Sequence, residues 1–419
     1  MSKTSSSEGW SRRTFLAALP AFGLASTRLA GAAAPRTFRI DIPQATITRI
    51  LRRIKEARWP DRIEGATDWR YGANWDYMRA LAEHWTTKYD WRKAEARLNR
   101  YPQFIASVGG YDVHFYHVKG ASTGSGLGRP VPLILTHGWP GSVLEFQEVI
   151  GPLTDPVKYG GSAADAFDVV VPSIPGFGFS SKPKSPIGPA TTARLWHELM
   201  TQVLGYQKFG AQGGDWGSTV TTMLARAYPE SMIGIHLNAA GGGIGNAAEA
   251  SEEERNWQRT SAAYRTAETD YFNEQQHKPE TVAFALSDNP LGAAAWIAEK
   301  FRVWTDSGTA LEPVVPKDEI LTNVMIYLVT DTMGTGVWYY RGSADDPLPN
   351  ARPGRVAVPT GFASFPAEMP LLNPPKSVLE RGFNLVHYTK MAHGGHFAAL
   401  EQPQVLADEI RAFFRPLRK

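Results

Sequence analysis

Gly213-Gly214-Asp215-Trp216-Gly217 is the stretch on which the fold turns. Before it, Lys208–Gln212 reads as a short strand, and after it Ser218–Tyr228 has helical character up to Pro229. A strand that passes this abruptly into a helix forces the residue at the apex into a strained backbone, and its neighbours must be small to let it pass. Gly213 and Gly217 meet that need. The apex side chain then projects from the sheet, above the N–H groups that open the helix, where negative charge is favoured.

Elbows of this kind usually carry a serine at the apex; here it is the carboxylate of Asp215. A carboxylate can displace oxygen or halogen from an sp³ carbon and become an ester, whose carbonyl carbon water then attacks. Epoxide opening and dehalogenation of a haloalkane or haloacid both fit that logic. In the second, the indole N–H of Trp216 would hold the halide. An aspartate after a glycine turn can also be a plain helix cap, so the surrounding motifs have to decide.

Working outward, Val131–Leu135, Asp168–Val171, Ile233–Leu237, Val356–Val358 and Asn384–His387 are short apolar runs separated by helical sequence. Such runs suit the buried parallel strands of an α/β sheet, whose chemistry lies at the carboxyl ends of the strands. His137-Gly138-Trp139-Pro140-Gly141-Ser142 follows the first of these runs. That place suits the second half of an oxyanion hole, with the backbone N–H groups of Trp139 and Trp216 aimed at one oxygen. Trp139–Pro140 is expected to be cis, and His137 to be a structural hydrogen-bonding residue rather than a base. The base is expected after the last strand, at His396 in His393-Gly394-Gly395-His396-Phe397, with His393 a loop residue. The acid that orients it should follow the preceding strand, which selects Glu368; Asp345 and Asp346 precede that strand and read as turn residues.

Composition narrows the class. Hydrophobic residues make up 43% and charged residues 20%, globular values. No stretch reaches the roughly 18 consecutive apolar residues of a membrane span, so no stable membrane anchor is expected. The net charge of +3 lies in the first 34 residues, and without them the chain carries 40 residues of each sign. That balance offers nothing to nucleic acid or an anionic membrane, and favours a neutral small molecule. There is no cysteine, no HExxH pair, no GxxxxGK[ST] loop and no GxGxxG after a strand, so neither a metal nor a nucleotide cofactor is expected.

Phe38 to Val118 reads as a helix-rich N-terminal segment, with helices at Thr46–Ala57, Asp76–Lys88 and Asp90–Leu98 and a strand at Tyr111–Val118. A glycine- and serine-rich turn follows at Gly120–Gly128. From Ala240 to about Asn350 the sequence is helical and rich in aromatic residues, which reads as a lid inserted at the active edge of the sheet. At the start of the chain, Ser11-Arg12-Arg13-Thr14-Phe15-Leu16 and the apolar run to Ala25 resemble a twin-arginine export signal. That resemblance implies a bacterial periplasmic or secreted protein.

With these residues placed, the chain resembles the microsomal-type epoxide hydrolases over nearly all of Phe38–Leu417. The likeness is carried by Tyr89–Lys93, Leu98–Pro102, His137–Ser142, Pro172–Ser180, Gly213–Ser218, Lys278–Phe301 and Gly394–Ala399. Behind the leader at 1–34, it implies an α/β-hydrolase fold with an N-terminal wrapping segment at 35–125, a core at 126–240 and 351–419, and a helical lid at 241–350. It implies hydrolysis of a small apolar epoxide by water, without a cofactor. It further implies two lid tyrosines as ring-opening acids, which fall on Tyr271 and Tyr340, with Tyr339 and Tyr264 as alternatives. A phenol stays protonated at neutral pH and can donate to the alkoxide. After Tyr340 the chain departs from the family pattern, with Arg341-Gly342-Ser343 in place of a more charged stretch. A non-catalytic binding protein on the same fold would require nucleophile and base to lie apart.

Overall fold

The apolar runs become neighbours in one sheet, nine-stranded among the described residues. The protein is represented by a computed structural model that describes residues 34–121, 129–240, 250–310, 312–346 and 354–418. The leader expected at 1–34 lies outside them apart from Ala34, as does most of the turn at 120–128. In chain order the strands are β1 (Arg36–Phe38), β2 (Gln103–Val108), β3 (Tyr111–Val118), β4 (Val131–Thr136), β5 (Phe167–Pro172), β6 (Phe209–Gly213), β7 (Met232–Leu237), β8 (Val356–Ser364) and β9 (Phe383–Lys390). Across the sheet they stand in the order β1-β2-β3-β5-β4-β6-β7-β8-β9. From β5 to β9 all pairs are parallel, while β1, β2 and β3 are antiparallel at one edge. β5 is buried along its whole length, as a parallel strand covered on both faces must be. Apolar clusters fill both sides of the sheet.

The N-terminal segment contains more strand than its sequence predicts. Its helices form at Gln44–Lys55, Trp75–Thr87 and Trp91–Leu98, burying Ile47, Ile50, Ile54, Met78, Leu81 and Trp85 on the faces their spacing marks. β2 carries no alternating pattern because it is buried on both faces at most positions, and burial of that kind erases the period of two. Gly109 and Gly110, both at positive φ, turn it into β3. β8 runs on to Ser364 instead of ending at Val358. A register irregularity between Val356 and Pro359 accommodates the proline, which has no N–H for the ladder.

Between β7 and β8 the described residues are helical, at Glu252–Glu268, Asp270–His277, Pro279–Leu286, Pro290–Trp304, Lys317–Val329 and Met333–Asp345. The N-terminal segment holds these helices directly. Arg97 pairs with Glu319 through both carboxylate oxygens, and the Tyr89 hydroxyl lies 3.1 Å from Thr322 Oγ1. Among the described residues no helix is long and apolar enough to cross a membrane.

Candidate active site

Asp215 stands where β6 gives way to the helix Asp215–Ala227, which begins at the aspartate itself rather than at Ser218. Its φ is +46°, left-handed backbone that costs a residue with a side chain about 1–3 kcal/mol. Close packing holds it there. A Cβ on Gly217 would lie 1.9 Å from the Thr136 carbonyl oxygen, so only glycine lets the helix approach β4 this closely. The elbow aims the carboxylate at two partners. Oδ1 accepts a 2.8 Å hydrogen bond from the Trp139 N–H, and Oδ2 lies 3.4 Å from His396 Nε2. The N–H of Trp216 belongs to the first helical turn, where backbone donors lack an intrahelical acceptor.

Trp139–Pro140 is cis, as expected. His137 is buried, its Nδ1 3.0 Å from the Gly138 carbonyl oxygen, while Nε2 accepts from the Ile174 N–H at 3.2 Å. Burial pushes it down to about 4, so it is neutral and structural. The loop is clamped from the helix Lys317–Val329. Asn323 Nδ2 donates to the Pro140 carbonyl at 2.6 Å, Ser142 Oγ lies 2.8 Å from Asn323 Oδ1, and the Tyr327 hydroxyl donates to the Gly141 carbonyl at 2.7 Å. Sequence reasoning missed Asn323 and Tyr327. Their only signal is polarity inside a run, Ile320–Leu328, that is buried all round.

His396 and Glu368 are both buried, and Nδ1 of the histidine is 2.8 Å from Glu368 Oε1. That oxygen also accepts from the Met369 N–H at 2.8 Å. Burial opposes a charge on His396, but the Glu368 and Asp215 carboxylates outweigh it and hold the imidazole well above its ordinary value. The loop of His396 is tied to the helices between β7 and β8: the His396 N–H donates to the Trp304 carbonyl at 2.8 Å, and the Gly394 N–H donates to Asp306 Oδ2 at 2.9 Å. Glu401 in turn accepts from the N–H groups of Asp306 and Phe397 at 2.8 and 3.1 Å. His393 is exposed. Asp345 and Asp346 end the helix Met333–Asp345 rather than forming a free turn. Asp346 caps the helix Pro189–Glu198 across space, accepting from the N–H groups of Gly188 and Thr191 at 3.0 and 2.7 Å, because Gly188 has no side chain to do so.

A cavity of about 480 Å³ opens beside Asp215, lined by Asp215, Trp216, Tyr271, Phe272, Tyr340 and Leu372 among others. The rings of Tyr271 and Tyr340 are 6.0 Å apart and nearly perpendicular. Trp139 stacks on Tyr271 at 5.5 Å and meets Tyr340 edge-on at 5.6 Å, so the loop that carries Trp139 packs against both phenols. Burial, with the Asp215 charge added, raises both hydroxyls well above the usual phenol value. Neither Tyr339 nor Tyr264 lines the cavity, and the Tyr339 hydroxyl bonds Thr192 Oγ1 at 2.9 Å. Among the described residues no group of three or more His, Asp or Glu side chains is arranged to hold a metal ion.

Comparison with known proteins finds relatives over nearly the whole chain. A family model described as "Epoxide hydrolase N terminus" matches residues 35–146, and one described as "alpha/beta hydrolase fold" matches residues 131–285. A protein of Stigmatella aurantiaca (strain DW4/3-1) is 42% identical over 385 residues, 91% of this chain and 85% of its own. Epoxide hydrolase 1 of Sus scrofa is 36% identical over 404 residues, 90% of this chain and 88% of its own. The crystal structure of the juvenile hormone epoxide hydrolase from Bombyx mori superimposes with a TM-score of 0.82 at 28% identity, covering 93% of this chain and 96% of that one. A chain with this sheet, this elbow and relatives this similar over nine-tenths of its length belongs to the microsomal-type epoxide hydrolase family, on an α/β-hydrolase fold.

Proposed function

We propose that Asp215 is the nucleophile by which this epoxide hydrolase converts an epoxide to a vicinal diol. The observation that carries the reading is the continuous line from Asp215 Oδ2 to His396 Nε2 at 3.4 Å and from His396 Nδ1 to Glu368 at 2.8 Å, beside a cavity holding two phenols. Oδ1 is engaged by the Trp139 N–H, which leaves Oδ2 to attack an epoxide carbon. Tyr271 and Tyr340 donate to the ring oxygen as the C–O bond breaks, and phenols raised by burial remain protonated until that moment. Esterification removes the Asp215 charge beside His396. The imidazole then loses one of the two carboxylates that favour its cationic form, and becomes available as a base just when water must be activated. The N–H groups of Trp139 and Trp216 receive the oxyanion that forms on Oδ1. Glu368 holds the tautomer that leaves Nε2 free to take the proton.

The cavity is mostly apolar and of a size for a small organic ligand, which favours a bulky apolar epoxide. Asp215→Ala should abolish diol formation from styrene oxide, and His396→Gln should accumulate an enzyme ester visible as added mass. A His396 variant with the wild-type steady-state rate would sink the assignment, and chloride release from a haloalkane without diol formation would favour dehalogenation. The proposed domain limits are the leader at 1–34, the N-terminal segment at 35–125, the core at 126–240 and 351–419 and the lid at 241–350. The leader, with Arg12-Arg13 ahead of an apolar run, supports a periplasmic or secreted location. Mass spectrometry of the mature protein from its native host tests it, since an intact Met1 would overturn export.

A further inference from the structure

A second, far smaller cavity touches the nucleophile. It measures about 20 Å³ and is bounded by Asp215, His396, Glu145, Gln212, Gly138 and Asn238 among others. Asp215 is the one residue it shares with the large cavity, so the carboxylate separates two chambers. A site of this volume admits one water, provided two to four polar groups meet it. Three do. Of the residues that bound it, His396 carries Nε2, which is not bonded to Glu368 and lies 3.4 Å from Asp215 Oδ2. Gln212 presents Oε1, a buried acceptor with no hydrogen-bond partner, and its amide is oriented by donation from Nε2 to Asn238 Oδ1 at 2.8 Å. Glu145 presents its carboxyl group.

Nothing in the chemistry assigned so far uses Glu145. It lies in the short turn Val143–Phe146 that follows the oxyanion loop, and its side chain folds back over that loop. A Cβ on Gly141 would lie 1.6 Å from its Oε1, so the carboxyl group lies directly against that loop. Among the described residues no lysine or arginine forms an ion pair with it. Burial pushes it up to about 8, with the His396 charge working against that and the Asp215 charge adding to it. A carboxyl that is largely neutral at pH 7 adds no second negative charge beside Asp215, and still offers a carbonyl oxygen as acceptor.

We propose that the small cavity holds the hydrolytic water, and that Glu145, together with Gln212 Oε1, accepts one hydrogen of that water while His396 Nε2 takes the other. Held by three acceptors, the water turns its lone pair to Asp215 Cγ from the chamber that the alkyl group does not occupy. Its oxygen bonds to Cγ as a proton passes to His396. The bond from Cγ to the alkyl oxygen then breaks, and His396 returns that proton to the departing alkoxide. The remaining water proton leaves the new carboxylic acid for the tyrosinate formed in ring opening, which restores Asp215, His396 and the phenol. Glu145 is unchanged throughout.

The inference rests on Asp215 being the esterified residue, and the experiment separates the two. Ring opening and ester hydrolysis are resolved by stopped-flow tryptophan fluorescence with styrene oxide, and the ester is identified by intact mass. Glu145→Leu should slow hydrolysis about 10- to 100-fold, the effect of leaving a polar partner unmet. Its ring-opening rate should stay within about threefold, so that ester accumulates. Glu145→Gln, which keeps the carbonyl, should hydrolyse within about threefold of wild type. Gln212→Leu, read in the same way, should also slow hydrolysis alone and stands independently if Glu145→Leu does not fold. Equal losses in both steps would make Glu145 a scaffold of the oxyanion loop and overturn the proposal, as would an unchanged hydrolysis rate in both leucine variants. Wild-type enzyme that turns over without an ester on Asp215 would instead overturn the nucleophile assignment.

Discussion

Replacing Glu368 by glutamine is the most discriminating test of the charge line through the site. The substitution keeps the volume and an oxygen able to accept from His396 Nδ1 and from the Met369 N–H, both at 2.8 Å, and removes only the negative charge. Imidazolium is what forms when His396 takes a proton from water. A hydrogen bond to a charged partner is worth about 1–2 kcal/mol more than a neutral one. A unit charge about 4 Å away in an environment of effective dielectric near 20 contributes up to about 4 kcal/mol. Together these bracket a loss of roughly 2–4 kcal/mol, a fall of about 30- to 1000-fold in ester hydrolysis. Ring opening, in which His396 gains no proton, should stay within about threefold. Glu368 is also a cause of the raised value of His396, so its loss lowers the imidazole and the pH profile of hydrolysis should move to lower pH. Trp139 and Trp216 flank Asp215, so stopped-flow fluorescence reports both steps. Equal slowing of ring opening and hydrolysis, or a pH profile that does not move, would refute the argument.

Tyr271→Phe and Tyr340→Phe should each slow ring opening about 10- to 100-fold while leaving hydrolysis of a preformed ester nearly intact, as expected for removal of one acid from a pair. Single-turnover rates check this, and an unimpaired single variant would assign that tyrosine to packing. Gly217→Ala drives a Cβ into the Thr136 carbonyl 1.9 Å away, so stability should fall by about 3 kcal/mol or more in denaturant titration, together with ester formation. His236 is fully buried without hydrogen-bond partners, and burial pushes it down to about 3. A depressed imidazole leaves the folded state with fewer protons than the unfolded one below about pH 6.5, so stability is lost as pH falls through that window. His236→Phe should therefore gain about 2 kcal/mol at pH 5 relative to its effect at pH 8, and equal effects at both values would remove the titration argument.

Much of the site is legible because the elbow and its partners are local signals. Gly213 to Gly217 marks the apex by its glycine spacing, and the order of strand, loop and charged residue selects Glu368 and His396. The strands β1 and β2 are not legible. β1 has three residues, and β2 is buried on both faces, so neither carries the alternation by which a strand is read. Asn323 and Tyr327 escape for a related reason: a helix buried all round gives no face by which to sort its polar residues, and their partners are carbonyls about 180 residues earlier in the chain.

By itself the sequence determines that a glycine-framed carboxylate, Asp215, stands between a strand and a helix, because glycine spacing and side-chain type are local properties. It leaves the choice among Tyr264, Tyr271, Tyr339 and Tyr340 to likeness with a family. Only the tertiary structure brings the rings of Tyr271 and Tyr340 against Trp139 and sends the Tyr339 hydroxyl to Thr192. Only the tertiary structure sets Glu145 and Gln212 around the same carboxylate. A helix presents its residues in a direction set by what it packs against, and a cavity exists only between surfaces that the sequence lists far apart.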